Sequence, residues 1–172
     1  MLYASKIDFT IPSELISMAQ TRIVTFDNIL HMYKFKNRRE IFKLLPESLQ
    51  NKNITVYFSN VLFNENKQTI CIHEHKKEKC VINYYLETNN EKTNFYVGDS
   101  VIIKNNSRYK EFLPNILNKI ESFIAKSGES WLMDTTKPHN IESMNDNKSR
   151  KMIQIYFYDA AYNEVLNAFN RD

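Results

Sequence analysis

From Asn53 onwards the chain alternates polar and apolar residues with a period of two, or carries short apolar runs rich in β-branched and aromatic residues. Clusters of Asn, Lys and Glu that are typical of turns separate these runs. The runs that predict strands are 54–58, 69–73, 80–86, 93–97 and 150–158. Because each strand buries one face and needs an opposing sheet, strands at this spacing predict a sandwich or a barrel.

The rest of the chain predicts a few flanking elements. They are a strand over 6–11, a helix over 38–49, a strand over 121–126 preceded by helix or loop, a turn into a strand over 128–134, and a closing helix over 160–169. The length suits one domain over 1–172. Within it we expect a supporting layer in 1–52, a β core in 53–159 and a C-terminal helix in 160–172.

Composition narrows the classes of function. The two glycines, Gly98 and Gly128, are too few for nucleotide-binding loops, which need several glycines to approach phosphates closely. A net charge of +3, from 23 basic and 20 acidic residues, does not indicate a nucleic-acid partner. No apolar stretch predicts a signal peptide or a membrane span. We therefore expect a cytoplasmic protein in which Cys71 and Cys80 remain reduced thiols.

Three of the four histidines occur where strands could bring them together. His73 and His75 are two residues apart in a predicted strand, so their side chains project from the same face. His139 precedes the strand predicted from Arg150, and a barrel could place it opposite the pair. Three imidazoles with open coordination positions form a catalytic metal site suited to iron, zinc, copper or nickel. Histidines that are merely hydrogen-bonded are the simpler alternative.

Two stretches of the sequence resemble the 2-oxoglutarate and Fe(II)-dependent oxygenase superfamily. They are Ile72-His-Glu-His-Lys-Lys-Glu-Lys-Cys-Val-Ile-Asn83 with its continuation to Tyr96, and Gly128-Glu-Ser-Trp-Leu-Met-Asp-Thr-Thr-Lys-Pro-His139 followed by Ser149-Arg150. The similarity covers 54–158 and is greatest to small bacterial and phage members and to the proline-hydroxylase-like branch. It implies a mainly β fold, a double-stranded β-helix (jelly roll, as in cupins) with flanking helices.

The resemblance also implies a site. In that family the jelly roll holds iron through a His-x-Asp pair and a distal histidine, and an arginine further along the chain binds the far carboxylate of 2-oxoglutarate. His73, His139 and Arg150 occupy the matching positions, and His75 stands where the family has its aspartate. A neutral imidazole there leaves the metal with one more unit of positive charge than a carboxylate would, which alters its chemistry.

Three residues are candidates for binding the cosubstrate. The planar guanidinium of Arg150 suits a carboxylate, and a surface ion pair is the equal alternative. Asn83 and Tyr85 lie two residues apart on the next predicted strand, and they either hydrogen-bond the other end of a keto acid or simply line the barrel. Asp134 either orients His139 or caps its own loop.

The sequence thus predicts a non-haem Fe(II) oxygenase that hydroxylates a small-molecule or peptidyl substrate with 2-oxoglutarate. The alternatives are a three-histidine dioxygenase that does not use 2-oxoglutarate and a catalytically silent jelly-roll module that binds a sugar, peptide or acid. A closed zinc site from Cys71, His73, His75 and Cys80 is a further alternative, although residues on one strand cannot easily surround an ion. The walls of the pocket are expected from the N-terminal region and from the loops around Asn89 and Asn145.

Overall fold

A computed structural model describes residues 2–16, 19–26, 30–35, 38–63, 69–143 and 149–171, with 19–26 described by the backbone alone. The strands are β1 (Ala4–Ile7), β2 (Ala19–Phe26), β3 (Leu30–Phe35), β4 (Ile54–Leu62), β5 (Thr69–His75), β6 (Cys80–Glu87), β7 (Lys92–Val97), β8 (Ile102–Asn105), β9 (Tyr109–Phe112), β10 (Asn118–Ile124), β11 (Ser130–Met133), β12 (His139–Glu142) and β13 (Ser149–Phe157). The α-helices are α1 (Ser13–Ile16), α2 (Arg38–Lys43) and α3 (Tyr162–Phe169), and Glu47–Leu49 and Pro114–Ile116 are 3-10 helices.

Eight of these strands form a double-stranded β-helix. They pair in antiparallel, nested fashion: β4 with β13, β5 with β12, β6 with β11, and β7 with β10. All thirteen described strands lie in two sheets. The seven-stranded sheet has the order β1-β11-β6-β13-β4-β3-β2, and the six-stranded sheet has the order β10-β7-β12-β5-β9-β8. Nested pairing across two sheets is the connectivity of a jelly roll, so the mainly β fold predicted from the sequence is confirmed.

Two hairpins extend the sheets beyond the jelly roll. The β2–β3 hairpin adds to the seven-stranded sheet beside β4, and the β8–β9 hairpin adds to the six-stranded sheet beside β5. Because β4 and β5 are the outermost jelly-roll strands at corresponding edges of the two sheets, both hairpins lie on the same side of the molecule. The sequence pattern did not predict them: every residue of β8 is exposed, so no alternation of buried and exposed positions marks that strand.

A side chain joins the two sheets on the opposite side. Glu121 of the edge strand β10 accepts hydrogen bonds from the backbone N–H groups of Tyr3 and Ala4, at 2.7 and 3.3 Å. Ala4 begins β1, the edge strand of the other sheet. Along this side the sheets are joined by side chains, among them this carboxylate and the stacked rings of Phe123 and Trp131.

The main apolar core lies on the outer face of the seven-stranded sheet, the face that α3 covers. Ile153, Ile155 and Phe157 of β13 point outward into it and are fully buried, together with Val165 of α3. The alternate residues of β13 point inward, towards the six-stranded sheet. The alternation predicted for this strand is confirmed, and it gives the strand two different environments.

Some predicted elements differ from those observed. The helix predicted over 38–49 is interrupted: α2 ends at Lys43 and a 3-10 helix follows Pro46, because proline lacks an N–H and disfavours helix in the residue before it. The opening strand is β1 instead of 6–11, and the strand expected over 121–126 begins earlier, as β10. The closing helix and the strand after Gly128 are confirmed by α3 and β11. Within the described residues, no helix has the length and apolar content needed to cross a lipid bilayer.

Candidate metal and anion site

The fold brings the three predicted histidines together. His73 and His75 lie near the end of β5, and His139 begins the neighbouring antiparallel strand β12, directly opposite His73. The ring centroid of His139 lies 4.5 Å from that of His73 and 5.5 Å from that of His75. One ring nitrogen from each residue lies within 4.8 Å of the other two. Three nitrogens at these distances could hold a single metal ion.

Backbone carbonyl groups fix the tautomer of two of these rings. Nδ1 of His73 lies 2.9 Å from the carbonyl oxygen of Cys71, and Nδ1 of His139 lies 2.7 Å from that of Lys137. Because a carbonyl oxygen can only accept, each Nδ1 carries the ring proton and donates it. Nε2 of each neutral ring then has a free lone pair, which is the state in which imidazole binds a metal.

The third histidine has a carboxylate partner. Oε2 of Glu78 lies 3.4 Å from Nδ1 of His75, an arrangement that again leaves Nε2 for a ligand. Burial acts to raise the pKa of Glu78, but the hydrogen bond and charge of His75, together with the charge of Lys77, lower that pKa overall. The role of Glu78 was not predicted from the sequence. The signal was its position three residues after His75, across the tight connection between β5 and β6.

Burial keeps two of the histidines uncharged near neutral pH. Burial first, and then the charge of His75, lower the pKa of His73 to about 4. Burial, followed by the charges of His73 and His75, lowers the pKa of His139 well below its ordinary value of 6.5. Since only the neutral ring can bind a metal, these two residues need not lose a proton to do so.

The histidines face a cavity of about 810 Å³ between the two sheets. Much of its wall is aromatic or sulfur-containing, from Met32, Met133, Met152, Tyr57, Tyr109, Tyr156 and Tyr158. Leu30 and Met32 belong to β3, so the N-terminal region contributes to the wall as predicted. Asn89 is not on the wall, and Asn145 lies outside the described residues.

Arg150, the second residue of β13, reaches the same cavity and is only 2% exposed. Its guanidinium carbon lies 4.7 Å from the ring centre of Tyr85. Its terminal nitrogens donate to the hydroxyl of Tyr85 and, at 3.3 Å, to that of Thr93. Nε has no hydrogen-bond partner, and no described carboxylate forms an ion pair with the side chain. The surface ion pair considered from the sequence is therefore wrong, and a buried charge without a counter-ion fits an anion site.

Asn83 and Tyr85 belong to a hydrogen-bonded chain that leads to Arg150. Nε2 of Gln154 donates to Oδ1 of Asn83 at 3.0 Å, and Nδ2 of Asn83 lies 3.4 Å from the hydroxyl of Tyr85. That hydroxyl also accepts from Arg150, so its own proton remains to be donated. Asn83 is on the cavity wall, whereas Tyr85 is fully buried and supports the guanidinium.

The arginine and the histidines occupy neighbouring parts of the cavity. Thr93, which contacts Arg150, and Phe95 are two residues apart on β7, a separation of roughly 7 Å along the strand. The ring of Phe95 lies 5.8 Å from that of His139. A small ligand of a few carbon atoms could therefore contact both parts of the site.

The closed zinc site considered from the sequence is not formed. Cys80 is fully buried in the apolar core on the outer face of the seven-stranded sheet, away from the histidines, while Cys71 is exposed. Neither thiol forms a disulfide. Asp134 caps its own loop by accepting from the N–H and hydroxyl of Thr136, and the partner of His139 is a carbonyl group.

No protein-family model and no curated protein matches the chain. Among solved structures, a vicilin from Solanum melongena is 9% identical, covers 80% of this chain and 30% of its own, and has a TM-score of 0.48. Oxalate decarboxylase from Bacillus subtilis is 13% identical over 85% of this chain and 29% of its own, with a TM-score of 0.45. A vicilin from Corylus avellana is 11% identical over 81% and 31%, also with a TM-score of 0.45. The chain spans less than a third of the length of these proteins, and similarities this distant do not bear on the chemistry of the site.

Proposed function

We propose that the chain is a non-haem oxygenase in which His73, His75 and His139 hold Fe(II) and Arg150 anchors 2-oxoglutarate as cosubstrate. The observation that carries this proposal is the presence of two complementary sites in one cavity. One is a group of three imidazoles that can each direct a free lone pair at a shared ion. The other is a buried guanidinium that forms no ion pair with any carboxylate in the described part of the chain. The substrate is a small molecule or a peptide.

The donor atoms fit such a metal. Neutral imidazoles suit Fe(II), and three of them leave coordination positions open for reactants. The carbonyl groups of Cys71 and Lys137 hold two of the rings in a ligating orientation through their Nδ1 atoms. When bound, the ion supplies the redox chemistry through which O₂ is activated. The chain itself orients the reactants and shields them from water between its two sheets.

The environment of Arg150 supports a carboxylate ligand. A guanidinium can donate to both oxygens of a carboxylate, and the contacts with Tyr85 and Thr93 hold it in place for this. Thr93, which contacts Arg150, and Phe95, which contacts His139, are roughly 7 Å apart along β7, a spacing that a five-carbon dicarboxylate can bridge. Three neutral ligands also leave the charge of a divalent ion uncompensated, and an anionic cosubstrate offsets it.

His75 favours a second candidate, a three-histidine dioxygenase that does not use 2-oxoglutarate. In that case Arg150 binds a carboxylate of the substrate itself. We place the first candidate ahead because Glu78 brings a negative charge next to the ring of His75. This charge partly replaces that of the aspartate found at the same position in the family that the sequence resembles.

A spectroscopic titration tests both candidates. The full chain is loaded with Fe(II) under anaerobic conditions and titrated with 2-oxoglutarate, and we expect a visible charge-transfer band that saturates at one equivalent. His139→Ala is expected to lose iron binding and the band together. Arg150→Met is expected to keep the iron and to form the band only at much higher concentrations of 2-oxoglutarate.

The other outcomes are equally informative. Tight iron binding with a flat spectrum would favour the three-histidine dioxygenase. A chain that binds no iron, with His139→Ala behaving like the unmodified protein, would refute both candidates.

A further inference from the structure

We propose that the substrate is an anion with a flat aromatic body, and that it binds on the far side of the histidines from Arg150. This region of the cavity, the tyrosine end, is defined by Tyr57, Tyr109, Tyr156 and Tyr158. The ligand acts as a substrate only if the proposed function holds, but its binding does not require the metal.

The strand register separates the tyrosine end from Arg150. Tyr156 is six residues beyond Arg150 on the same face of β13, a distance of roughly 20 Å along the strand. Tyr109 lies opposite His75 in the pairing of β9 with β5. The histidines therefore lie between the two ends, and a ligand can approach the metal site from the tyrosine end while Arg150 holds a second molecule.

The rings of this region form a continuous surface next to the metal ligands. The ring of Tyr156 stacks against that of His75 with centroids 5.9 Å apart and planes inclined by 23°. Tyr57 meets Tyr156 edge to face, at 6.0 Å and 70°. Aromatic groups bind one another through such stacked and edge-to-face contacts. A flat aromatic molecule can therefore make the same contacts with these tyrosines.

The size of the cavity allows two small molecules. Its volume of about 810 Å³ is near the upper part of the range of about 300–1,000 Å³ that holds drug-sized ligands. A keto acid fills only a fraction of this space. The tyrosine end is therefore free for a second reactant when Arg150 is occupied.

The charged residues at the opening indicate the charge of this second molecule. Three cationic side chains, Lys77, Lys104 and Arg108, reach the cavity there. Lys104 is 3.4 Å from Glu111, which balances it. Within the described part of the chain, the side chains of Lys77 and Arg108 form no hydrogen bond and no ion pair. The carboxylate of Glu78 offsets one of these two positive charges, and no third carboxylate lines the described cavity. The opening therefore carries an excess of positive charge, which attracts an anion.

A positively charged aromatic ligand would bind less favourably. Tyrosine rings can also hold a cation against their faces, and Glu78 would attract one. Lys77 and Arg108 would repel a cation at the opening, and so would a divalent ion held by the histidines. Charge and shape together thus favour an aromatic anion over an aromatic cation.

A set of three matched probes tests the proposal: 2-naphthoate, the uncharged 2-naphthalenemethanol, and (2-naphthylmethyl)trimethylammonium. Binding to the metal-free full chain is measured by isothermal titration calorimetry. We expect 2-naphthoate to bind most tightly. The double variant Lys77→Gln/Arg108→Gln should weaken naphthoate binding about fivefold and leave the neutral probe unchanged, as expected for exposed charges. Tyr57→Leu should weaken both of these probes.

Lys119→Gln is the control, because Lys119 is an exposed cation on the edge strand β10 and does not line the cavity. It should leave all three affinities unchanged. Tightest binding of the trimethylammonium probe would overturn the proposal, as would naphthoate binding that neither the double variant nor Tyr57→Leu affects. Naphthoate binding that behaves as expected in a chain that fails to bind iron would refute the proposed function alone.

Discussion

The outer and inner faces of the seven-stranded sheet are made by the same strands, and along β13 they alternate residue by residue. Ile153, Ile155 and Phe157 point outward, and each is 0% exposed in an apolar core. Arg150 and Gln154 point inward and are also buried, at 2% and 8% exposed, but next to a cavity. The two faces are similarly buried and differ in chemical character.

This comparison shows that a residue's burial alone does not tell whether it stabilises the fold or is available to bind a ligand. On the outer face the buried residues of β13 are apolar and belong to one core with residues of α3, so their burial stabilises the folded state. On the inner face Nε of Arg150 is buried without a hydrogen-bond partner among the described residues, which costs stability, and a bound anion of the kind proposed above would offset that cost. Substitutions on the two faces should therefore have different consequences.

The largest expected effect is on stability, for Phe157→Ala on the outer face. Removing a fully buried ring should lower the free energy of unfolding by about 3–5 kcal/mol, because a cavity remains in a closely packed core. The folded fraction should keep its affinity for Fe(II). Urea denaturation and metal titration measure the two quantities. A variant that loses metal affinity while keeping its stability would contradict the separation of the two faces.

Arg150→Met on the inner face should weaken ligand binding without lowering stability, which is the reverse of the result expected for Phe157→Ala. Affinity for 2-oxoglutarate should fall about 30-fold, equivalent to about 2 kcal/mol, because a charged hydrogen bond to the carboxylate is lost. The free energy of unfolding should stay the same or rise, since methionine removes a buried charge that no described carboxylate pairs with. Calorimetric titration and urea denaturation of the same preparation provide the measurements. A strongly destabilised variant would show that the guanidinium is a structural group instead.

A smaller effect is expected for Glu78→Gln, which keeps the size of the side chain and removes its charge. Since Glu78 contacts Nδ1 of His75, we expect metal affinity to fall about tenfold. Competition with a chelator measures the change. Glu111→Gln is the matched control, because that carboxylate also lines the cavity but pairs with Lys104. Equal losses of metal affinity in the two variants would indicate that any carboxylate lining the cavity strengthens metal binding, whether or not it contacts His75.

The last expected effect is gradual: a dependence of stability on pH in the metal-free chain. In the unfolded state His73 and His139 titrate near 6.5, whereas folding lowers the pKa of His73 to about 4 and that of His139 well below 6.5. The unfolded state thus binds more protons between these values. Stability should be complete above pH 6.5 and decline as the pH falls towards 4, by up to about 1.4 kcal/mol per pH unit for each histidine.

Urea denaturation at pH 7, 6 and 5 measures this slope. His139→Asn, which cannot titrate, should make it shallower. Stability that rises as the pH falls would mean that these rings are protonated in the folded chain.

The sequence predicted the parts of the fold and site that depend on a regular spacing. The period of two along β13 identified a strand with an apolar face, and the spacing of His73 and His75 identified a shared face on β5. The convergence of His139 with them required only that β12 pair with β5. These features follow from local geometry, which any strand imposes on its residues.

The parts that the sequence did not predict depend on tertiary contacts between distant segments. Nothing local distinguishes a surface arginine from Arg150, whose burial results from the pairing of β13 with β4 and β6 and from its contact with Thr93 of β7. Glu78 was missed because it lies in a lysine-rich turn that resembles a solvated surface. The β8–β9 hairpin was missed because exposed strands carry no pattern of burial.

Glu121 gives the sandwich two unlike long sides. On one side its carboxylate ties the main chain of Tyr3 and Ala4 to β10, and on the other the β2–β3 and β8–β9 hairpins continue both sheets past the jelly roll. We therefore expect the gap between the sheets to widen more easily beside the hairpins than beside the tied edge. A ligand would then enter between the hairpins, where Lys104, Arg108 and Tyr109 line the cavity.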